Sequence, residues 1–129
     1  MAVTAFLFPG QGSQVVGMAS ILAQDSKIAK DILSEIDDAL DFKLSTLMAE
    51  GPSEELQLTQ NAQPALFASS ICTLRVLQNQ TGKTISELCS FVAGHSLGEY
   101  SALCAAGSLG ISETARLLHL RGQSMQQAV

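Results

Sequence analysis

Basic residues are scarce in this chain, and their scarcity excludes one class of partner. Lys and Arg number seven against twelve Asp and Glu, which gives a net charge of −5 at pH 7. Nucleic-acid-binding domains concentrate positive charge in a patch or stripe, whereas the basic residues here are scattered along the sequence. We therefore expect no nucleic-acid partner.

Long apolar runs and paired cysteines are also missing. No stretch approaches the roughly 18 apolar residues that cross a bilayer, and no basic segment precedes the first apolar run, so we expect a soluble, cytoplasmic protein without a membrane partner. The three cysteines, Cys72, Cys89 and Cys104, have no CxxC spacing. They are predicted to be buried, reduced thiols rather than disulfide or metal ligands.

A nucleotide-binding loop is missing as well. The loop Gly10–Gln14 follows a short apolar run, but it has neither a Lys-Ser/Thr ending nor the GxGxxG spacing. By itself it is typical of a turn between a strand and a helix. We expect no cofactor.

The most informative stretch combines an apolar run, a glycine-rich turn and a helix-forming segment. Phe91–Ala93 leads into Gly94-x-Ser96-x-Gly98, and a helical segment follows as far as Gly107. Glycine at both positions allows the strand and the helix to approach closely, which is typical of a nucleophile elbow. Ser96 is then exposed at the tip, with the amide of Leu97 at the helix N-terminus. The alternative is an ordinary strand-to-helix turn with a capping serine.

The remaining patterns predict an α/β fold in which residues 1–129 make up at most one domain, with a short, mainly parallel sheet flanked by helices. Thr4–Phe8 is predicted to be a buried strand. Leu58–Gln63 is predicted to be irregular, with Pro64 in the first turn of a helix that ends at Gly82. Ser112 is predicted to cap the last helix. Helical spacing predicts the other helices over residues 18–24, 28–40, 44–49 and 113–128.

Arg121 lies in the middle of the apolar stripe of the last helix. A charged side chain in that position either extends its head group to water or binds an anion, and the pattern alone favours neither. His119 precedes it by two residues and therefore points to a different side of the helix. We expect His119 to be a surface or packing residue.

Four motifs occur in the order found in one family. Phe8–Gln14, Gln63–Leu66, Gly94–Leu103 and Arg121-Gly122-x-x-Met125-Gln126 resemble the malonyl-CoA:acyl carrier protein transacylases of fatty acid synthesis. The resemblance covers the first two-fifths or so of that family. It implies the first part of the larger α/β-hydrolase-like acyltransferase subdomain, without the small ferredoxin-like subdomain.

The resemblance also implies roles for individual residues. Ser96 would be the nucleophile, and Gln11 and Leu97 would provide the oxyanion hole. Arg121 would hold the malonyl carboxylate, and Gln63 would lie near the acyl pocket, although the sequence alone favours a helix cap for Gln63. From its place beside the nucleophile, we expect His95 to shape that pocket. The implied partners are malonyl-CoA and acyl carrier protein.

The general base is not among these candidates. Only two histidines occur; His95 adjoins the nucleophile and should diverge from it, and His119 has no expected role there. The resemblance places the base histidine far downstream, so we expect this chain alone to turn over negligibly and to need the missing C-terminal part of the enzyme. Three alternatives remain open: a non-catalytic fragment that binds acyl-CoA or a partner, a polyketide-type acyltransferase, and an unrelated α/β serine hydrolase.

Overall fold

A computed structural model describes residues 3–129 and shows an α/β arrangement. The elements, in chain order, are β1 (Ala5–Phe8), α1 (Ser20–Asp25), α2 (Lys27–Leu40), α3 (Leu44–Glu50), α4 (Ser53–Leu56), α5 (Thr59–Thr81), α6 (Ile85–Leu88), β2 (Phe91–Gly94), α7 (Gly98–Ala105) and α8 (Ile111–Gln127). Within the described range, no helix is long and apolar enough to span a membrane.

The two strands form a parallel pair, as the sequence predicts. Their register runs from Ala5 opposite Phe91 to Phe8 opposite Gly94. Phe8 packs against the helices, whereas Leu7 is 76% exposed and Phe91 is 65% exposed. The predicted burial of the first strand is therefore wrong for one face, because alternate side chains of a strand point to opposite faces and the described helices cover only one of them.

The main core lies among α2, α5 and α8. Phe67, Ile36 and Leu118 are fully buried there, because these helices place apolar residues on facing stripes. α5 ends where predicted, and Gly82 follows it with a left-handed φ of 67°, a conformation that glycine adopts without steric strain.

The predicted start of α5 is wrong. The helix begins at Thr59 and encloses Pro64, which has no N–H to offer the Gln60 carbonyl one turn earlier. The Nδ1–H of His119 lies 2.9 Å from that carbonyl oxygen and donates to it. A tertiary contact therefore satisfies the group that proline leaves free, and the helix continues through it. His119 was predicted to be a surface or packing residue, and its half-buried ring packs against Phe42, with the ring centroids 5.4 Å apart.

The predicted cap of the last helix is also wrong. Gly110 occupies the N-cap position, and α8 begins at Ile111. The hydroxyl of Ser112 instead donates to Glu35 on α2, at 3.0 Å. A tertiary partner has replaced the local capping bond that serine forms most readily.

The predicted burial of the three cysteines is confirmed. Cys72, Cys89 and Cys104 are free and buried, and burial raises the pKa of the Cys72 thiol to about 12. No group of three or more His, Cys, Asp or Glu among residues 3–129 is placed to hold a metal ion.

Candidate active site

The turn between β2 and α7 has the geometry of a nucleophile elbow. Ser96 is exposed at its tip, with a left-handed φ of 57° that a residue with a side chain seldom adopts. A Cβ on Gly94 would collide with the backbone of Gly98, and one on Gly98 would collide with the carbonyl of Phe8. The predicted strand, tight turn and helix are therefore confirmed, and both glycines are sterically required.

The amide of Leu97 is a free donor beside Ser96. The next amides, those of Gly98, Glu99 and Tyr100, donate to the carbonyls of the preceding turn. Leu97 is the N-cap residue of α7, and its amide has no acceptor among the described residues. Such an amide at a helix N-terminus can bind a developing negative charge.

Arg121 reaches the elbow from α8. Its Nη2 donates to the Oγ of Ser96 at 3.2 Å, and its Nη1 donates to the Oε1 of Gln63 at 2.8 Å. The guanidinium carbon lies 5.5 Å from the centroid of the Tyr100 ring, a distance at which the ring face attracts a cation. Helices α5, α7 and α8 therefore converge on one cation beside the serine.

Tyr100 was not singled out in the sequence. It lies in the first turn of α7, directly after the elbow, and an aromatic residue at that place, four positions after Ser96, is the signal that could have found it.

The partners recorded for the Arg121 guanidinium are neutral. The ion pair recorded among residues 3–129 joins Lys27 to Asp31, at 2.8 Å, so no described carboxylate neutralises Arg121. An arginine held by an amide, a hydroxyl and an aromatic ring keeps its capacity to bind an anion through its planar fork. This arrangement favours the anion-binding interpretation over extension to water.

Gln63 is an interior residue of α5 and not a helix cap. Its side chain is buried, with 1% exposed. While Oε1 accepts from Arg121, Nε2 donates to the sulfur of Met125 at 3.3 Å. Both ends of the amide contact α8, so the side chain orients Arg121 towards Ser96.

The loop after β1 lies against the elbow. A Cβ on Gly10 would come within 2.9 Å of the carbonyl oxygen of His95, so the two backbones are in close contact. Gln11 is exposed, and its Nε2 lies 3.4 Å from the hydroxyl of Thr59. His95 donates its backbone amide to Phe8, and its side chain is exposed. The functional roles expected for Gln11 and His95 stay predictions.

The chain belongs to the acyl transferase domain family, whose model matches residues 5–129. It is 48% identical to the malonyl CoA-acyl carrier protein transacylase of Bacillus subtilis (strain 168), covering 100% of this chain and 39% of that protein. The Escherichia coli (strain K12) protein of the same name is 45% identical over 100% of this chain and 40% of its own length.

Solved structures agree with these relatives. The acyl-carrier-protein-S-malonyltransferase of Bartonella henselae is 52% identical, with a TM-score of 0.95 over 99% of this chain and 40% of that one. A malonyl-transacylase, PlMCAT, solved in complex with the type II PKS acyl-carrier protein AntF, is 44% identical, with a TM-score of 0.91 and the same coverage. The chain thus spans about 40% of the length of the relatives it matches.

Proposed function

We propose that this chain provides the nucleophile and the carboxylate-binding arginine of an enzyme that transfers a malonyl group from malonyl-CoA to an acyl carrier protein. The Oγ of Ser96 attacks the thioester carbonyl and forms a malonyl ester, while coenzyme A leaves as the thiol. The carrier thiol then attacks that ester, takes the malonyl group and returns the proton to Ser96. The names of the relatives support this substrate and this acceptor.

The observation that carries the proposal is the 3.2 Å contact between Arg121 and Ser96. The free carboxylate of a malonyl group is separated from its thioester carbonyl by a single methylene. A site that binds the carboxylate while Ser96 attacks the carbonyl therefore needs its cation next to the nucleophile. Arg121 meets that condition, and a serine hydrolase of uncharged esters has no use for it.

The oxyanion formed during each attack needs hydrogen-bond donors. We assign this role to the free amide of Leu97 and to Gln11, whose loop contacts the elbow at His95. Donors fixed before the reaction stabilise the transition state without reorganising. Removing one such donor typically lowers kcat by about 100- to 1,000-fold.

In this proposal, the general base is not one of the described residues. Among the described residues, the Ser96 hydroxyl has a hydrogen bond with Arg121 alone, and His119 is engaged with Gln60. We assign residues 1–129 to the N-terminal portion of the large α/β subdomain, with the base histidine and the ferredoxin-like subdomain outside it. Without a base the rate falls by about 100- to 10,000-fold, so the chain alone should turn over negligibly. Its cytoplasmic location stays a prediction.

A carrier protein of polyketide synthesis is a second candidate acceptor. It is favoured by the solved relative whose partner is a type II PKS acyl-carrier protein. Supplying fatty-acid and polyketide carriers in parallel, at equal concentration, distinguishes the two by their rates.

The test is the intact mass of the denatured protein before and after exposure to malonyl-CoA or acetyl-CoA. It is run on the chain alone and on the chain combined with the C-terminal part of a relative. A malonyl adduct on Ser96 that Ser96→Ala abolishes supports the proposal. Arg121→Ala should slow malonyl transfer by roughly 10- to 100-fold, the loss of a charge-assisted bond, while sparing acetyl transfer.

The matched control is Arg116→Ala, which removes an exposed arginine from the same helix and should change neither rate. Equal loss of malonyl and acetyl transfer in Arg121→Ala would contradict the carboxylate-binding role. No adduct in either preparation would contradict the transferase itself and favour a non-catalytic fragment that binds acyl-CoA or a partner.

A further inference from the structure

The loop between β1 and α1 contains an unusual buried residue. Of residues 9–17, only Gln14 has a buried side chain, which is 7% exposed. Burying an amide is unfavourable unless its donors and acceptor are hydrogen-bonded. A loop anchored by a polar residue therefore depends on the partners of that residue.

Gln14 is bonded at both ends of its amide. Its Oε1 accepts from the backbone amide of Gly12 at 2.8 Å, and its Nε2 donates to the Oε1 of Gln57 at 2.6 Å. Gln57 donates in return to the backbone carbonyl of Gln14, at 3.4 Å. The side chain thus ties the loop to itself and to the residue that follows α4.

The bond to Gly12 holds an uncommon backbone conformation. Gly12 has a φ of 127°, a region that residues with side chains rarely adopt. Gly10, two residues earlier, is fixed by its close contact with His95. Gln11 lies between these two constrained glycines, and its own recorded side-chain bond is the exposed 3.4 Å contact with Thr59.

We propose that Gln14 is a positioning residue that holds the loop Gly10–Gln14 so that Gln11 faces the oxyanion formed at Ser96. This inference rests on the proposed function through the oxyanion role of Gln11. Donors of an oxyanion hole act because they are held in place beforehand. A displacement of about 1 Å can slow a reaction by roughly 100-fold.

Two substitutions test this role. Gln14→Met keeps the length and the apolar part of the side chain but removes every bond of the amide. Gln14→Glu keeps an acceptor for the Gly12 amide and loses the donor to Gln57. The control is Gln24→Met, which makes the same change at an exposed position on α1.

The first readout is hydrogen–deuterium exchange, which needs no activity. Loss of the bond to Gln14 should speed exchange of the Gly12 amide by roughly 3- to 10-fold in Gln14→Met. Gln14→Glu should remain near the original protein at that amide, and the control should not change. Unaltered exchange of the Gly12 amide in Gln14→Met would overturn the proposal, whatever the rate of malonyl transfer.

The second readout is malonyl transfer by the chain combined with the rest of a transacylase, corrected for the number of sites that can be acylated. Gln14→Met should lower kcat by roughly 10- to 100-fold and leave KM for malonyl-CoA unchanged, because the oxyanion exists only during the reaction. Gln14→Glu should fall between Gln14→Met and the original protein. A variant that merely unfolds more easily would lose sites but keep kcat per site.

The outcomes separate the two proposals. Faster exchange with unchanged kcat would overturn the link between Gln14 and the oxyanion while leaving the transferase intact. An original protein that never forms a malonyl ester on Ser96 would contradict the proposed function and, with it, the catalytic part of this inference. Faster exchange together with a lower kcat at unchanged KM supports both.

Discussion

Alanine at position 122 should push α5 and α8 apart. Gly122 is buried on α8, and a Cβ there would lie 2.7 Å from the carbonyl oxygen of Thr59 and 2.8 Å from the amide nitrogen of Gln60. Both are backbone atoms, so no side-chain rotation can relieve the contact. The adjoining turns of α5 and α8 carry Gln63 and Arg121, whose side chains form a hydrogen bond of 2.8 Å between Oε1 and Nη1. The substitution therefore disturbs the site as well as the packing.

The magnitude follows from two opposing effects. Overpacking a well-packed contact lowers the free energy of unfolding by about 1–3 kcal/mol. The higher helix propensity of alanine relative to glycine raises the free energy of unfolding by about 1 kcal/mol in a helix interior. Because the atoms in the way belong to the backbone, the steric effect at Gly122 should lie at the upper end of its range. The net loss is then about 2 kcal/mol.

Urea denaturation followed by far-ultraviolet circular dichroism measures this loss. Ser124→Ala is the control, because Ser124 is exposed on the same helix and the change there affects helix propensity alone, by about 0.5 kcal/mol in the stabilising direction. In the combined enzyme, Gly122→Ala should also lower the preference for malonyl over acetyl groups. A variant as stable as the original protein, or more stable, would refute the close approach of the two helices.

Two further predictions concern the buried thiol and the exposed strand face. Because burial raises the pKa of Cys72 from 9.0 to about 12, the unfolded chain loses this proton first, so the free energy of unfolding should fall as pH rises from 9 towards 12. Urea titrations across that range should show a smaller decline in Cys72→Ala, and equal declines would contradict the raised pKa. Leu7 and Phe91 lie on the same exposed face of the two strands, 76% and 65% exposed, so we expect this face to promote self-association of the isolated chain and Leu7→Lys to reduce it. Sedimentation velocity checks this, and unchanged association would show that this strand face does not mediate it.

The elbow could be predicted from sequence because its determinants are local. Gly94 and Gly98 flank Ser96 within five residues, and each glycine is required by a backbone only a few ångströms away. The strand before them and the helix after them follow from apolar pattern and helix propensity. The same reasoning placed the ends of α5 and α7, where Gly82 and Gly107 have positive φ values.

The start of α5 could not be predicted in this way. Pro64 normally marks the first turn of a helix, because its missing N–H is harmless there. Here the helix extends five residues further back, to Thr59, since the Gln60 carbonyl finds a donor in His119 on a distant helix. The predicted cap at Ser112 failed for a similar reason, because its hydroxyl bonds to Glu35 on α2.

By itself, the sequence determined the local chemistry of this protein: an exposed serine on a tight turn, buried thiols, and an arginine on an otherwise apolar helix face. These follow from steric limits and periodicity over a few residues. Only the tertiary structure decided that Arg121 lies 3.2 Å from Ser96, although 25 residues separate them in the chain. It also decided that Gln63 and Tyr100 hold that arginine. The reason is that helix packing, and not chain order, sets the distances between side chains on different elements.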